Sequence, residues 1–237
     1  VLFRSRRYRC VAYNARGYVP SSVPESADDY AQWRVSEDIR CMLDGLQVER
    51  AHVVGLSMGA FAALHFGMRY ATHQQNSRAL SLTLAGCGTG SLPEVHEQFK
   101  KDSVALGAAL IENGMENAGQ AYCHGPTRLP FLRKNPRGHA EFARQFAEHS
   151  ALGSGLTAIG YQGRRPSLYT LRDEIARIAA PTLVLCGDED EPCLDPSLML
   201  KRTIPGAKLA ILPGSGHGIN LEEPALFNQL IEDFLAS

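Results

Sequence analysis

An α/β fold with a mostly parallel sheet is what this chain predicts, and three observations predict it. Short, near-continuous apolar runs recur at 9–15 (RCVAYNA), 51–57 (AHVVGLS), 81–86 (SLTLAG), 182–188 (TLVLCGD) and 208–214 (KLAILPG). Such runs suit strands buried on both faces. Helical patterns lie between several of them, and strands alternating with helices build α/β architectures. One long stretch departs from that rhythm. Residues 91–166 hold no comparable run, alternate helix formers with turn signals such as GPTRLP and KNPRGH, and are too long for a simple connection. The expected organisation is a core formed by 1–90 and 167–237, with a helical cap inserted over 91–166.

Each helix has a local reason. Over 36–46 (SEDIRCMLDGL), Ile39, Met42, Leu43 and Leu46 fall on one face at helical spacing. Ser36 is placed to cap it, with acids in the first turn. The alanine-rich stretch 60–70 (AFAALHFGMRY) suits a helix packed closely on the sheet. The last helix, 223–235, opens at Pro224, where the missing N–H does little harm.

Composition narrows the partners. The 237 residues are 44% apolar with a net charge of −1, as in a single soluble domain of generous size. That balance gives no electrostatic reason to expect nucleic acid or an anionic membrane. The basic cluster Arg4, Arg6, Arg7 and Arg9 is short and reads as a solvated end. No run approaches the roughly 20 apolar residues of a membrane span. Cysteines at 10, 41, 87, 123, 186 and 193 include no C-x-x-C pair. They point to free thiols in a reducing, cytoplasmic setting.

The chemistry centres on VVGLSMGAF, residues 53–61. A strand-like run ends at Ser57 and a helix starts at once, the context of a nucleophile elbow. Gly55 and Gly59 are expected to let strand and helix backbones approach, and the Met58 N–H can face a developing oxyanion. A neutral serine needs a base, and the base needs an orienting acid. Both appear at later strand ends, where α/β sheets collect functional groups. Gly187-Asp188-Glu189-Asp190 follows one run, and His217, between Gly216 and Gly218, follows the next.

These pieces resemble the α/β-hydrolase family of esterases, lactonases and C–C hydrolases. The resemblance rests on GLSMG, PTLVLCGDEDEP and GSGHGINLEEPALFN, together with YNARGYVPSS, and spans the chain from about residue 8 onward. It implies Ser57 as nucleophile, Asp190 as acid and His217 as base, with Asp188 better suited to steadying the turn. It makes the 91–166 insertion a lid over the substrate. It also implies that three strands and a His-Gly oxyanion loop precede residue 1 in a longer enzyme. The opening VLFRS resembles translated adapter sequence. A second oxyanion donor, and any leader, would lie in that missing part.

The plainer readings stand beside these. Ser57 could be a turn serine and His217 a loop histidine. His52 and His65 read as packing or surface residues, and His124, His139 and His149 as exposed residues of the insertion. No two histidines share a metal-ligand spacing with a carboxylate, so no metal and no cofactor are expected. GCGTG (86–90) lacks a phosphate-loop spacing and reads as a flexible loop near the pocket. The expected activity is cleavage of a carboxylic ester or lactone in a small molecule. The alternatives are C–C hydrolysis of a meta-cleavage product by the same triad, or ligand binding without turnover.

Overall fold

A computed structural model describes residues 7–72 and 77–237. Among the described residues, four strands form one all-parallel sheet in the order β1 (Ala51–Leu56), β2 (Ala79–Ala85), β3 (Thr182–Gly187) and β4 (Lys208–Leu212). The chain enters through α1 (Gln32–Gly45) and follows β1 with α2 (Met58–Tyr70). Between β2 and β3 come α3 (Pro93–Cys123), α4 (Leu129–Lys134), α5 (Pro136–Ala147), α6 (Ala151–Thr157), a π turn (Ala158–Gln162) and the single-turn α7 (Arg172–Ile175). Gly114, at φ 77°, breaks α3 into two segments. Then α8 (Glu191–Thr203) follows β3, and α9 (Ile219–Glu222) and α10 (Pro224–Ala236) follow β4.

Alternation along the strands sends side chains to two cores. Leu82, Leu84 and Val184 pack under Ile39 and Leu43 of α1, Phe61, Leu64 and Phe66 of α2, and Met199 and Leu200 of α8. Leu183, Leu185 and Leu212 face Ile219, Phe227, Ile231 and Phe234 from the last two helices. Helix α2 sits hard on the sheet because Gly67 leaves room for Leu82, whose Cδ1 would lie 2.5 Å from any added Cβ. That second layer leaves Val54 and Leu80 exposed on the β1–β2 half of the sheet.

Four of the five expected strands form, each within a few residues of its sequence bounds. The run 9–15 does not. It is irregular and mostly exposed, with Val11 51% accessible, and among the described residues nothing pairs with the outer edge of β1. A strand needs a partner for its backbone groups, and β propensity alone does not supply one. The same loop is nonetheless anchored. Arg16 grips Asp38 with two nitrogens at 2.7 and 2.5 Å and reaches the Asp29 carbonyl at 2.6 Å. Gly17, at φ 88°, lies against the Gly153 carbonyl.

Two local expectations also change. Helix α1 starts at Gln32, so Ser36 is not its cap but a buried residue whose hydroxyl bonds the Trp33 carbonyl at 2.8 Å. Residues 86–88 form a loop, but a buried one. Cys10 is exposed along with Cys41, whereas the other four cysteines are buried; all six are free. Of the basic cluster, Arg4 and Arg6 lie outside the described residues. No described helix is long and apolar enough to cross a membrane.

Candidate active site

Ser57 sits at φ 54°, ψ −116°, between the last residue of β1 and the first of α2. Positive φ costs any residue with a Cβ energy, of order 1–3 kcal/mol, so neighbours must hold it. Its N–H bonds the Ala85 carbonyl at the end of β2 at 2.8 Å, and its carbonyl takes the Ala60 and Phe61 N–H groups. A side chain at Gly55 would collide with the Gly59 carbonyl. A side chain at Gly59 would meet nothing within 4 Å, so the steric demand falls on Gly55 and not on both glycines.

The three residues singled out from sequence converge. Ser57 Oγ lies 2.7 Å from His217 Nε2, and His217 Nδ1 lies 2.7 Å from Asp190 Oδ2. A carboxylate at Nδ1 makes that nitrogen the N–H donor and leaves Nε2 an acceptor for the serine hydroxyl. Asp190 is fully buried at the start of α8, and its backbone carbonyl accepts the Cys193 N–H at 2.8 Å. Gly86 forms the floor. A Cβ there would lie 3.3 Å from His217 Nδ1 and 3.4 Å from Asp190 Oδ2.

Asp188 does the work expected of a turn residue. Its Oδ1 accepts the Ser215 N–H at 3.0 Å, and backbone donors at Gly214 and Ser215 lower its pKa. With Glu189 N–H on the Ser215 carbonyl at 2.9 Å, this zips the loop of Asp190 to the loop of His217.

Several contributors had no readable signal. Glu222 accepts the Gly216 N–H at 2.7 Å and the Gly218 N–H at 3.0 Å, clamping both sides of His217, while burial raises its pKa. It appears in sequence as one more acid in LEEP. The His217 N–H itself bonds the Thr127 carbonyl, 3.1 Å away in the helical insertion. From α4, Lys134 bridges Ser215 Oγ at 3.0 Å and Glu223 at 2.5 Å, and Arg133 pairs Glu189 at 2.6 Å. The helical segment between β2 and β3 therefore grips the loops that carry Asp190 and His217.

Behind the imidazole sits Cys193, its Sγ 3.9 Å from His217 Nδ1 and 3.3 Å from Thr89 Oγ1. Burial first, then the nearby Asp190 charge, raises this thiol well above its usual value, so it stays protonated. Asp190, Cys193 and His217 offer donor atoms within 4.8 Å of one another. The oxygen and nitrogen of that set are already bonded to each other, which is the arrangement of a proton relay. Buried Arg165 stacks over Phe61, 3.8 Å from its centroid, and donates to the Thr89 carbonyl, supporting the 86–91 loop from the other side. Of the insertion's histidines, His139 is buried, not exposed, with Nε2 2.8 Å from the Cys123 carbonyl.

Comparison with known proteins agrees with this architecture. A putative 2-succinyl-6-hydroxy-2,4-cyclohexadiene-1-carboxylate synthase of Bacillus subtilis is 26% identical over 235 residues, 97% of this chain and 81% of that protein. The 3-oxoadipate enol-lactonase 1 of Acinetobacter baylyi is 25% identical over 233 residues, covering 98% and 80%. Among solved structures, MenH from S. aureus superposes with a TM-score of 0.81 at 21% identity, over 94% of this chain and 81% of its own. The family model for the alpha/beta hydrolase fold matches residues 2–224. The chain belongs to the alpha/beta hydrolase fold family.

Proposed function

We propose that this enzyme is a serine hydrolase that cleaves a carboxylic ester or lactone through an acyl-enzyme on Ser57. The observation that carries the reading is the unbroken relay from Ser57 Oγ to His217 Nε2 and from His217 Nδ1 to Asp190 Oδ2, each step 2.7 Å. His217 takes the hydroxyl proton as Oγ attacks the carbonyl carbon, and Asp190 steadies the imidazolium that forms. The carbonyl oxygen, now an oxyanion, turns toward the Met58 N–H, which is at the first position of α2 and has no acceptor within the helix. Collapse of the tetrahedral intermediate passes the proton from Nε2 to the departing alkoxide. Water, deprotonated by the same nitrogen, then releases the acid.

We read residues 91–166 as a cap that shapes the small-molecule pocket. Support comes from its hold on the catalytic loops, through the Thr127 carbonyl on the His217 N–H and through Lys134 and Arg133. A relative named as an enol-lactonase supports the lactone side of this reading.

A fluorophosphonate probe tests the reading. It should attach to Ser57 in the wild type and to nothing in Ser57→Ala, and an ester panel should release acid at a rate that tracks labelling. A folded protein that stays unlabelled overturns it. A meta-cleavage dienoate run beside the esters and lactones separates C–C hydrolysis from ester hydrolysis.

A further inference from the structure

Tyr161 lies outside the relay, yet its hydroxyl touches the elbow. It donates to the Met58 carbonyl at 2.7 Å and accepts from Gln32 Nε2 at 3.1 Å. Both residues are buried, Tyr161 at 2% and Gln32 at 9% exposure. Gln32 is the first residue of α1, so a three-member chain ties that helix, the end of the insertion and the first turn of α2 together.

The backbone at Tyr161 is built for this reach. Residues Ala158–Gln162 form a π turn, the wider turn that commonly marks functional positions in helices. Within it Gly160 lies against the Ala27 carbonyl, where any side chain would collide. Burial raises the Tyr161 pKa far above the working range, so the phenol remains a neutral donor.

We propose that Tyr161 is a positioning residue for catalysis, holding Met58 in the orientation that aims its N–H at the oxyanion. The inference rests on the reading of Ser57 as the nucleophile. Met58 carries both the carbonyl that Tyr161 grips and the amide that faces the reacting oxygen. Its predecessor Ser57 is in a strained conformation that must be held from outside. A hydrogen bond of this kind is worth enough to change a rate severalfold when it fixes transition-state geometry. It is not expected to change ground-state binding, because the oxyanion exists only during reaction.

The test is Tyr161→Phe, which keeps the ring and removes only the hydroxyl. With p-nitrophenyl acetate, kcat should fall about 3–10-fold with KM unchanged. Affinity for a trifluoromethyl ketone, which forms a tetrahedral adduct on the serine, should weaken by the same factor. A folded variant with kcat and ketone affinity within about twofold of wild type overturns the inference, as does a loss that appears equally in KM. Should Tyr161→Phe not fold, Gln32→Leu frees the hydroxyl from its anchor. It should show the same pattern at about twofold to threefold amplitude, and no change in kcat there overturns the idea. Fluorophosphonate labelling keeps the two failures apart. An unlabelled wild type removes the nucleophile reading, whereas a labelled wild type with a fully active Tyr161→Phe removes only this inference.

Discussion

At the scale of single residues, two carboxylates two positions apart have separate tasks, and substitution should part them. Asp190 is sealed and bonded to the imidazole, while Asp188 is bonded to the backbone of the base loop. Asp190→Asn would place an amide against Nδ1 and favour the wrong tautomer, so kcat should drop about 10³–10⁴-fold in steady-state assays. Asp188→Asn should cost about 1–2 kcal/mol in chemical denaturation and leave kcat within severalfold. Gly86 offers a third test. It combines φ 54° with a Cβ direction pointing at His217 and Asp190. Gly86→Ala should therefore lower both stability, by about 1–2 kcal/mol, and turnover, as read by melting and by kcat.

At the scale of elements, the His217 loop is held by its neighbours more than by itself. Glu222, from the short helix α9, satisfies the amides on both sides of His217, and the same loop is met by Thr127, in the turn before α4, and by Lys134 of α4. Glu222→Gln replaces a two-oxygen acceptor with one oxygen and an NH2 group. One of the two glycine amides must then lose its partner. The expected outcome is a loss of about 1–3 kcal/mol in stability and a lower kcat, measured by denaturation and by ester turnover. Lys134→Met removes the bridge from α4 while keeping its stem. Its effect should fall on turnover more than on melting temperature, because the ammonium is near the surface, where ion pairs add little stability.

At the scale of the whole molecule, buried titratable groups set the acid limit. His65, in α2 between the core residues Leu64 and Phe66, has its pKa pushed down to about 4, mainly by burial and then by the Arg165 charge. Its Nε2 is sealed without a partner. The unfolded chain protonates this imidazole near 6.5, so between about 6.5 and 4 it binds a proton that the folded state refuses. Stability is therefore full above that window and declines as pH falls through it, by up to about 1.4 kcal/mol per pH unit. Lowered values at His52 and His149 act in the same direction. Glu222, raised by burial, opposes them, since its folded form takes up a proton more readily than its unfolded one. Melting temperature followed from pH 7 to pH 4 should decline, and His65→Gln should flatten that decline.

The sequence by itself determined what depends on short windows and on fixed chemistry. The elbow was legible because the close approach at Gly55 and the turn at Ser57 leave a local signature. The meeting of Asp190 and His217 with Ser57 was legible because strand ends in a parallel sheet all point to one rim. Four strands followed from their apolar runs. What only the tertiary structure decided depends on partners far along the chain. The run 9–15 has strand-like residues but no described strand beside it, and Ser36 has capping chemistry but lies inside a helix that starts earlier. Tyr161 and Met58 meet across 103 residues, and Thr127 finds the His217 amide from another element entirely. Local pattern encodes what a segment can form. Which backbone groups are then satisfied, and by whom, is settled by packing, and packing brings together residues that no window of sequence contains.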